Sequence, residues 1–544
     1  MMKKIRWKIL PAVGMMFIPT LLFSARWTVM LYIGGDSTKN QIYRYVDTTL
    51  DYLKQAPDNP EVKLLALVDE SVFSLMVGTQ TVEVDSSSVR CYDIKHDSLT
   101  EIPLTAINPS FSTTTANMGD GNFLVNFATY CIASYPADYY MLILWGHGTG
   151  WWQPPQPVSE SISHQKYPAI IYDDHYSTTT LDSTPEYLDV LELDAALSQI
   201  KNFLGKPLDI LGFDACLMSE IELAYQYRNY ANYLLASEEL TYIAGWPYHG
   251  LLTTLRNNPT LSPEYFLKQA VEIIDRSYSS DQTYPYFIAD YDRRSITALD
   301  LTKIAAVATR VASLASTIKN SSTDLYALYS VRANIEYFGG KDNSYYGSVD
   351  LSDLAYLIAN CPKFSPEIRQ SAQQLGLAVS DCIVKEAHGP AHKNIGGLAI
   401  NFPRTQDDWL VFNNPQNYYQ SLAFSQDSSW ADFLTYYTTE LSVFDFPNLN
   451  YVTVGPNPYN PAAGNFTFYN IPTNASDIKI TIYDITGTPV RILDDEQEIL
   501  IESGKAIWDG KNEYGQTLAP GLYFWQINSS AGSLKGKIAI WGQK

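Results

Sequence analysis

Cysteine is scarce in this chain. Five cysteines spread over 544 residues are too few and too dispersed for a disulfide scaffold. Basic residues are outnumbered, 37 Lys and Arg against 58 Asp and Glu, a formal net charge of −21. Phosphate backbones bind concentrated Lys and Arg, so nucleic acid is excluded as the expected partner. Acidity favours basic peptides only weakly, because exposed charges are screened beyond about 8–10 Å at physiological salt; it reads first as solubility. Long apolar runs are missing apart from residues 9–23, which follow the basic MMKKIRWK and precede the small Ser24 and Ala25. A membrane-spanning helix needs about 20 residues, so residues 1–25 read as an export signal. Leu22 or Phe23 fits the position three residues before cleavage poorly, which leaves both the cleavage point and a retained anchor open. EF-hand spacing is absent too. Asp173, Asp174 and His175 form the one compact cluster whose residue types suggest a metal; it reads as a solvated loop, and no metal site is expected.

What is present is apolar and ordered. With 46% hydrophobic residues and about 100–200 residues per domain, the chain can bury two or three cores. WTVMLYI (27–33), VKLLALVDE (62–70), MLILW (141–145) and LDILGF (208–213) read as strands. They alternate with the helical periodicities of 39–53, 121–135 and 192–204. Strands apolar throughout, separated by helices, predict an α/β fold with a mostly parallel sheet covered on both sides. Ligands of such sheets bind at the carboxyl ends of the strands, and two reactive side chains fall there: His147 in LILWGHGTGW and Cys216 in LDILGFDAC.

A cysteine attacks as thiolate, and an imidazole can hold or move protons near neutral pH, so the pair makes a candidate nucleophilic site. The stripe Leu217, Ile221, Ala224 predicts a helix over 216–227, whose N-terminal N–H groups would favour a Cys216 thiolate. Asp214, two residues away, acts in the opposite sense. Cys131, Cys361 and Cys382 fall in helix-like stretches and Cys91 in a strand-like one, where a thiol packs as a small hydrophobe. His164, His249, His388 and His392 are expected at the surface or as satisfied core groups.

The segments NMGDGNFLVNFATYCIASYPADYYMLILWGHGTGW (117–151), DILGFDACLMSEIELAYQ (209–226), ASEEL…GWPYHGLL (236–252), SITALDLTKI (295–304), VDLSDLAYLI (349–358) and GGLAINFP (396–403) resemble the clostripain family of cysteine peptidases, relatives of caspases, legumains and gingipains. The resemblance implies a caspase-like sheet sandwiched by helices over residues 26–445 and a catalytic dyad of His147 and Cys216. It also implies an oxyanion hole from the backbone N–H groups of Gly148 and Cys216. The substrates would be peptides or proteins, cut by an exported endopeptidase after Arg or Lys. Asp214 is then the candidate charge in the pocket for that side chain, with Glu238 beside it. The sequence departs from the family where an acidic, Pro-Gly-containing stretch is usual and Thr241, Tyr242, Ile243 and Ala244 stand instead. Family members also cut their own chain between the histidine and the cysteine, which points to Lys166, the only basic residue of the loop 153–168. Calcium dependence occurs in the family, but no residue of this chain is assigned to it. The alternative reading is a binding or surface-display protein that kept the peptidase fold and lost turnover.

Residues 262–440 read as a largely helical part of the same unit, with two helix starts at Ser-Pro-Glu (262–264 and 365–367). A linker is expected at 446–455. Short alternating strands over 456–544 predict an all-β sandwich. The pattern PNPYNP…YDITGTPVR…WDGKNEYGQTLAPGLYFW resembles the immunoglobulin-like domain of flagellar hook-capping proteins. That resemblance implies attachment or sorting, through secretion or cell-surface machinery, and no catalysis.

Overall fold

The computed structural model describes residues 24–35, 42–70, 73–77, 80–84, 88–112, 117–151, 170–173, 186–242, 244–278, 291–321, 325–339, 347–404, 406–413, 418–442, 448–455, 457, 459–461, 464–495, 498–500 and 504–541. Lys166 and most of the expected export segment lie outside them.

Nine strands make the main sheet: β1 (Ala25–Gly34), β2 (Val62–Glu70), β3 (Ser88–Lys95), β4 (Ser98–Ile102), β5 (Ala137–Trp145), β6 (Leu208–Asp214), β7 (Ala231–Ala236), β8 (Ser295–Asp300) and β9 (Ile383–His388). Their order across the sheet is β9-β8-β7-β6-β5-β1-β2-β3-β4. The five central strands, β7, β6, β5, β1 and β2, run parallel, and two antiparallel strands flank them at each edge. The centre is parallel because its strands are apolar on both faces. Every residue of β6 is buried, which requires a helical layer on either side.

One layer packs helices Gly121–Ser134, Val190–Leu204, Ile221–Tyr227 and Ile304–Asn320 around Leu142, Leu144, Leu211 and Phe213. The other packs Val46–Gln55, Tyr248–Asn257 and Pro263–Tyr278 around Met141, Ile143 and Ile210. Alternation along β5 and β6 thus sends odd and even positions into different cores. The four strands and the helices expected at 121–135 and 192–204 are present. The helix expected from residue 39 begins at Val46, after a single 3-10 turn, Ile42–Tyr45.

The stretch 262–440 differs from a purely helical reading, because β8 and β9 extend the main sheet. Strand β9 is half-buried at every position and carries Lys385, Glu386 and His388, so it lacks the apolar signature that marks the central strands. At the C-terminus, one four-stranded sheet holds Thr453–Gly455, Phe466–Tyr469, Ile499–Leu500 and Lys505–Trp508. A second holds Lys479–Tyr483, Pro489–Leu493, Gly521–Ser529 and Gly532–Ile540. The two share one core, in which Phe468 meets Trp525 edge-on at 5.4 Å. The end of the expected linker is therefore already sheet, Thr453–Gly455 pairing with Phe466–Tyr469.

Helix Val190–Leu204 leads from the end of one active loop back to β6, and its start is fixed by a capping box. Asp189 accepts from the N–H groups of Leu191 (2.8 Å) and Glu192 (2.7 Å), and Glu192 Oε2 accepts from Asp189 N–H at 3.3 Å. Replacing such a cap costs about 1 kcal/mol. Asp189→Ala is expected to lower the unfolding free energy by that amount, read as a lower urea midpoint at unchanged denaturant slope; an unchanged midpoint would show that the cap carries no stability.

Candidate active site

Strands β5 and β6 are hydrogen-bonded parallel neighbours, with Trp145 opposite Asp214. Residues at equal distances beyond that pair, His147 and Cys216, leave the sheet side by side. The loops stay in contact after the strands end. Gly146 N–H donates to Asp214 O at 3.3 Å, and a Cβ at Gly148 would lie 2.5 Å from Cys216 O and 2.9 Å from Cys216 N. Only glycine tolerates that approach of two backbones. Among the described residues, neither the Gly148 nor the Cys216 N–H is taken up by a backbone hydrogen bond.

The histidine loop is tied down on two further sides. Ile171 N–H donates to His147 O at 3.2 Å. Trp151 N–H donates to Glu220 Oε2 at 2.9 Å. Between them Gly150 takes a left-handed φ of 69° and lies so close to the Glu220 carboxyl that a Cβ would sit 2.4 Å from Oε2. Glu220 is buried, and burial together with neighbouring Glu222 pushes its pKa well above the usual carboxylate range. It accepts Trp151 N–H, and so joins the loop after His147 to the loop after Cys216.

The cysteine loop does not lead straight into a helix. Helix Ile221–Tyr227 starts five residues after Cys216, so the expected support of the thiolate by a helix N-terminus is absent. What intervenes is a turn in which Leu217 adopts a left-handed φ of 62°, a conformation costing roughly 1–2 kcal/mol for a residue with a Cβ. Leu217 N–H donates to Glu239 O at 3.2 Å and Ser219 N–H to Ser237 O at 2.9 Å. Leu217 itself packs in a small cluster with Phe338, Ile395 and Ala399. These contacts hold the turn and leave Cys216 half-buried.

The sulfur rests on residue 241. Thr241 N–H donates to Cys216 Sγ at 3.2 Å, and Thr241 Oγ1 lies 3.5 Å from it. Burial pushes the thiol pKa up and the two Thr241 bonds pull it down, with Glu239 and Asp214 adding to the upward push. Glu239 anchors this segment. Its Oε2 pairs with Arg293 (Nη2 3.0 Å, Nε 3.2 Å) and faces His392 Nε2 at 3.4 Å, while Oε1 accepts from the N–H groups of Leu240 (2.8 Å) and Gly339 (2.9 Å). Burial opposes its charge, but these partners outweigh burial and hold the carboxyl below its ordinary range. His392 is a buried group that lies between Glu239 and Glu336, 3.4 Å from each, with its Nε2 making no hydrogen bond among the described residues.

Asp214 closes β6 beneath the turn Gly245–Tyr248. Its Oδ2 accepts from Trp246 N–H at 2.7 Å and Tyr248 O–H at 2.8 Å. Its Oδ1 is buried with no hydrogen-bond partner among the described residues. Burial raises its pKa to about 7 against the pull of those two bonds. Tyr242 and Tyr278 stand edge-to-face at 4.0 Å nearby, and Tyr278 O–H donates to Gly245 O at 3.4 Å. The walls around Asp214 are thus aromatic.

Glu238 is not brought to Asp214. Along β7 it follows Leu234 and Ala236 into one core, whereas Asp214 follows Ile210 toward the other. Glu238 is fully buried, and burial plus Asp350 push its carboxyl pKa far up. The expected pairing of these two acids in one pocket is therefore corrected: adjacent acids at a strand end point to opposite sides. Sequence reasoning gave Glu220 no role, weighed Glu239 only as a remaining acid for the pocket and named Thr241 only as part of the departure from the family, although the acids at 220 and 239 stand close to Cys216 and to its neighbouring strand end. Among the described residues no three His, Cys, Asp or Glu side chains gather in a way that could hold a metal ion. Asp174 and His175 lie outside the described residues.

The Glu220 tie predicts a separable effect. Glu220→Gln keeps a carbonyl oxygen for Trp151 N–H and is expected to retain turnover. Glu220→Ala frees the His147 loop and is expected to lower kcat by about 100-fold, the order of loss that a 1 Å misplacement causes, with KM little changed. Steady-state kinetics of both variants check this, and equal losses in both would sink it.

The sequence model of the clostripain family matches residues 31–437. Clostripain of Hathewaya histolytica is 30% identical over 238 residues, a stretch that covers 42% of this chain and 42% of that protein. The alignment therefore spans less than half of that curated relative. Among solved structures, an inactive zymogen C11 protease from Parabacteroides distasonis aligns with a TM-score of 0.51 and 18% identity, over 74% of this chain and 98% of that one. A secreted C11 cysteine protease from Bacteroides thetaiotaomicron, in complex with an irreversible peptide inhibitor, aligns with a TM-score of 0.49 and 17% identity, over 75% and 99%. The first of these likenesses agrees with the α/β architecture described above. With its family sequence model matched from the first strand of the main sheet to the last long helix before the sandwich, the chain belongs to the clostripain family.

Proposed function

We propose that this protein is an exported cysteine endopeptidase that works through Cys216 and His147. The observation that carries the proposal is the meeting of the two loops beyond the paired strands β5 and β6, with Gly148 packed on the Cys216 backbone. His147 takes the proton of the Cys216 thiol, and the sulfur attacks the scissile carbonyl. The N–H groups of Gly148 and Cys216 donate to the resulting oxyanion, each such donor being worth about 3–4 kcal/mol. The C–N bond then breaks, His147 gives a proton to the leaving amine, and the acyl group stays on sulfur. His147 next takes a proton from water, which attacks the thioester and restores the thiol.

Asp214 gives the pocket its charge for Arg or Lys at the residue before the cut. A guanidinium entering a low-dielectric site needs a carboxylate, and the unpartnered Oδ1 supports Asp214 in that role. Without an acid in the stretch 241–244, it acts without that source of help. Export rests on the sequence of residues 1–25, and attachment or sorting through the C-terminal sandwich rests on its resemblance. Among the described residues no helix is long and apolar enough to cross a membrane.

A chloromethylketone peptide with arginine at its reactive end is expected to label Cys216 in the native protein. Cys216→Ala and His147→Ala are expected to abolish peptide hydrolysis. A folded, unlabelled native protein would instead favour the reading that turnover has been lost. A cut after Lys166 that disappears in Cys216→Ala would mark self-processing; a cut that persists would assign it to another protease.

Selectivity should depend on pH. With a pKa of about 7, Asp214 is neutral below that value and an anion above it, and a cationic side chain favours the anion. The ratio of kcat/KM for an arginyl over a neutral peptide is expected to rise between about pH 5 and about pH 8. Taking the ratio cancels the ionisation of Cys216, common to both substrates. A flat ratio would remove Asp214 from the pocket.

A further inference from the structure

We infer that Thr241 is a positioning residue for the nucleophile, holding the Cys216 sulfur through its backbone N–H and its hydroxyl and favouring the thiolate over the thiol. The inference rests on the reading of Cys216 as the nucleophile and goes beyond it by naming what stabilises the reactive form. Three polar atoms of one residue surround Sγ: the N–H donates to it at 3.2 Å, Oγ1 lies at 3.5 Å where either atom can be the donor, and the carbonyl oxygen accepts from the thiol at a long 3.9 Å. The hydroxyl can serve as donor to an anionic sulfur, and hydrogen bonds to charged groups are the stronger ones.

The surroundings make such help necessary. Cys216 has no helix N-terminus behind it, since the next helix begins at Ile221. The titratable groups that bear on it are Asp214 at the end of β6, Glu239 after β7 and Tyr278 on the helix Pro263–Tyr278, while His147 leaves the neighbouring strand β5. Both carboxylates oppose a negative sulfur. Thr241 is the neutral donor among these groups, and it cannot drift away. Glu239, two residues before it, is fixed by Arg293, His392 and the N–H groups of Leu240 and Gly339. Ser237 closes the preceding turn, its hydroxyl donating to Glu239 O at 2.9 Å. The same segment, Ser-Glu-Glu-Leu-Thr, thus supplies an anchor and, two residues on, the group that contacts sulfur.

The test reads the thiol directly. The rate of alkylation of Cys216 by iodoacetamide is followed by mass spectrometry across pH in the full chain, for the native protein, Thr241→Val and Thr241→Ser. Thr241→Val removes the hydroxyl at nearly constant shape. It is expected to move the profile up by about one pH unit, so that alkylation slows about tenfold at neutral pH and converges with the native rate at high pH. Thr241→Ser restores the hydroxyl and is expected to follow the native profile. Thr241→Ala serves in place of the valine variant should the latter not fold, with the same expected shift. A valine or alanine profile that superimposes on the native one, or a serine profile displaced as far as the valine one, overturns the inference. Alkylation does not require peptide turnover, so a native protein that cleaves nothing would defeat the peptidase reading and still leave the Thr241 result to stand or fall by itself.

Discussion

The arrangement depends on one pairing, the parallel ladder that sets Trp145 opposite Asp214. A shift of one residue along that ladder would turn a whole strand over and send its side chains into the wrong core. The two cores guard against it, because Met141 and Ile143 belong to one while Leu142 and Leu144 belong to the other. Burial on both faces therefore fixes the register, and the register decides which loop residues meet. The histidine and the cysteine are neighbours because hydrophobic packing far below them allows no alternative.

Above the ladder, polar groups take over from apolar ones. Glu220, Glu239 and Asp214 are all buried and all within a few residues of the loops they hold. They differ in the state that burial leaves them. Glu239 is held below its ordinary range because His392, an arginine and two N–H groups meet it, whereas burial and Glu222 drive Glu220 upward toward its neutral form. Asp214 lies between these limits. Removing one partner of a buried ion pair costs about 3–5 kcal/mol, so the link between Glu239 and Arg293 is the least replaceable of the three.

The sequence made the central strands legible, since a run such as LDILGFD leaves no polar face to mistake. It also marked the ends of those strands as the place for chemistry, and with them Cys216, His147 and Asp214. Strand β9 was harder to read because a half-buried edge strand mixes charged and apolar residues without a clear period, and β8, buried but only six residues long, sits in a stretch whose other periods are helical. The turn after Cys216 was obscured for another reason: Leu217, Ile221 and Ala224 do have helical spacing, but Leu217 leaves that path at a left-handed φ and packs against Phe338 and Ile395 instead. The choice between Glu238 and Glu239 rests on the parity of β7 relative to β6, which adjacent identical residues cannot reveal.

Because Thr241 touches the sulfur and Tyr242 stands in the aromatic wall beside it, reactivity and selectivity are written into consecutive positions of one short segment. On the proposed reading, drift there alters recognition and the attacking atom together. Descendants of this scaffold that acquire new cleavage preferences through residues 241–244 would carry altered acidity of their nucleophile as an inherited side effect, and diversification of diet would come with a change of habitat.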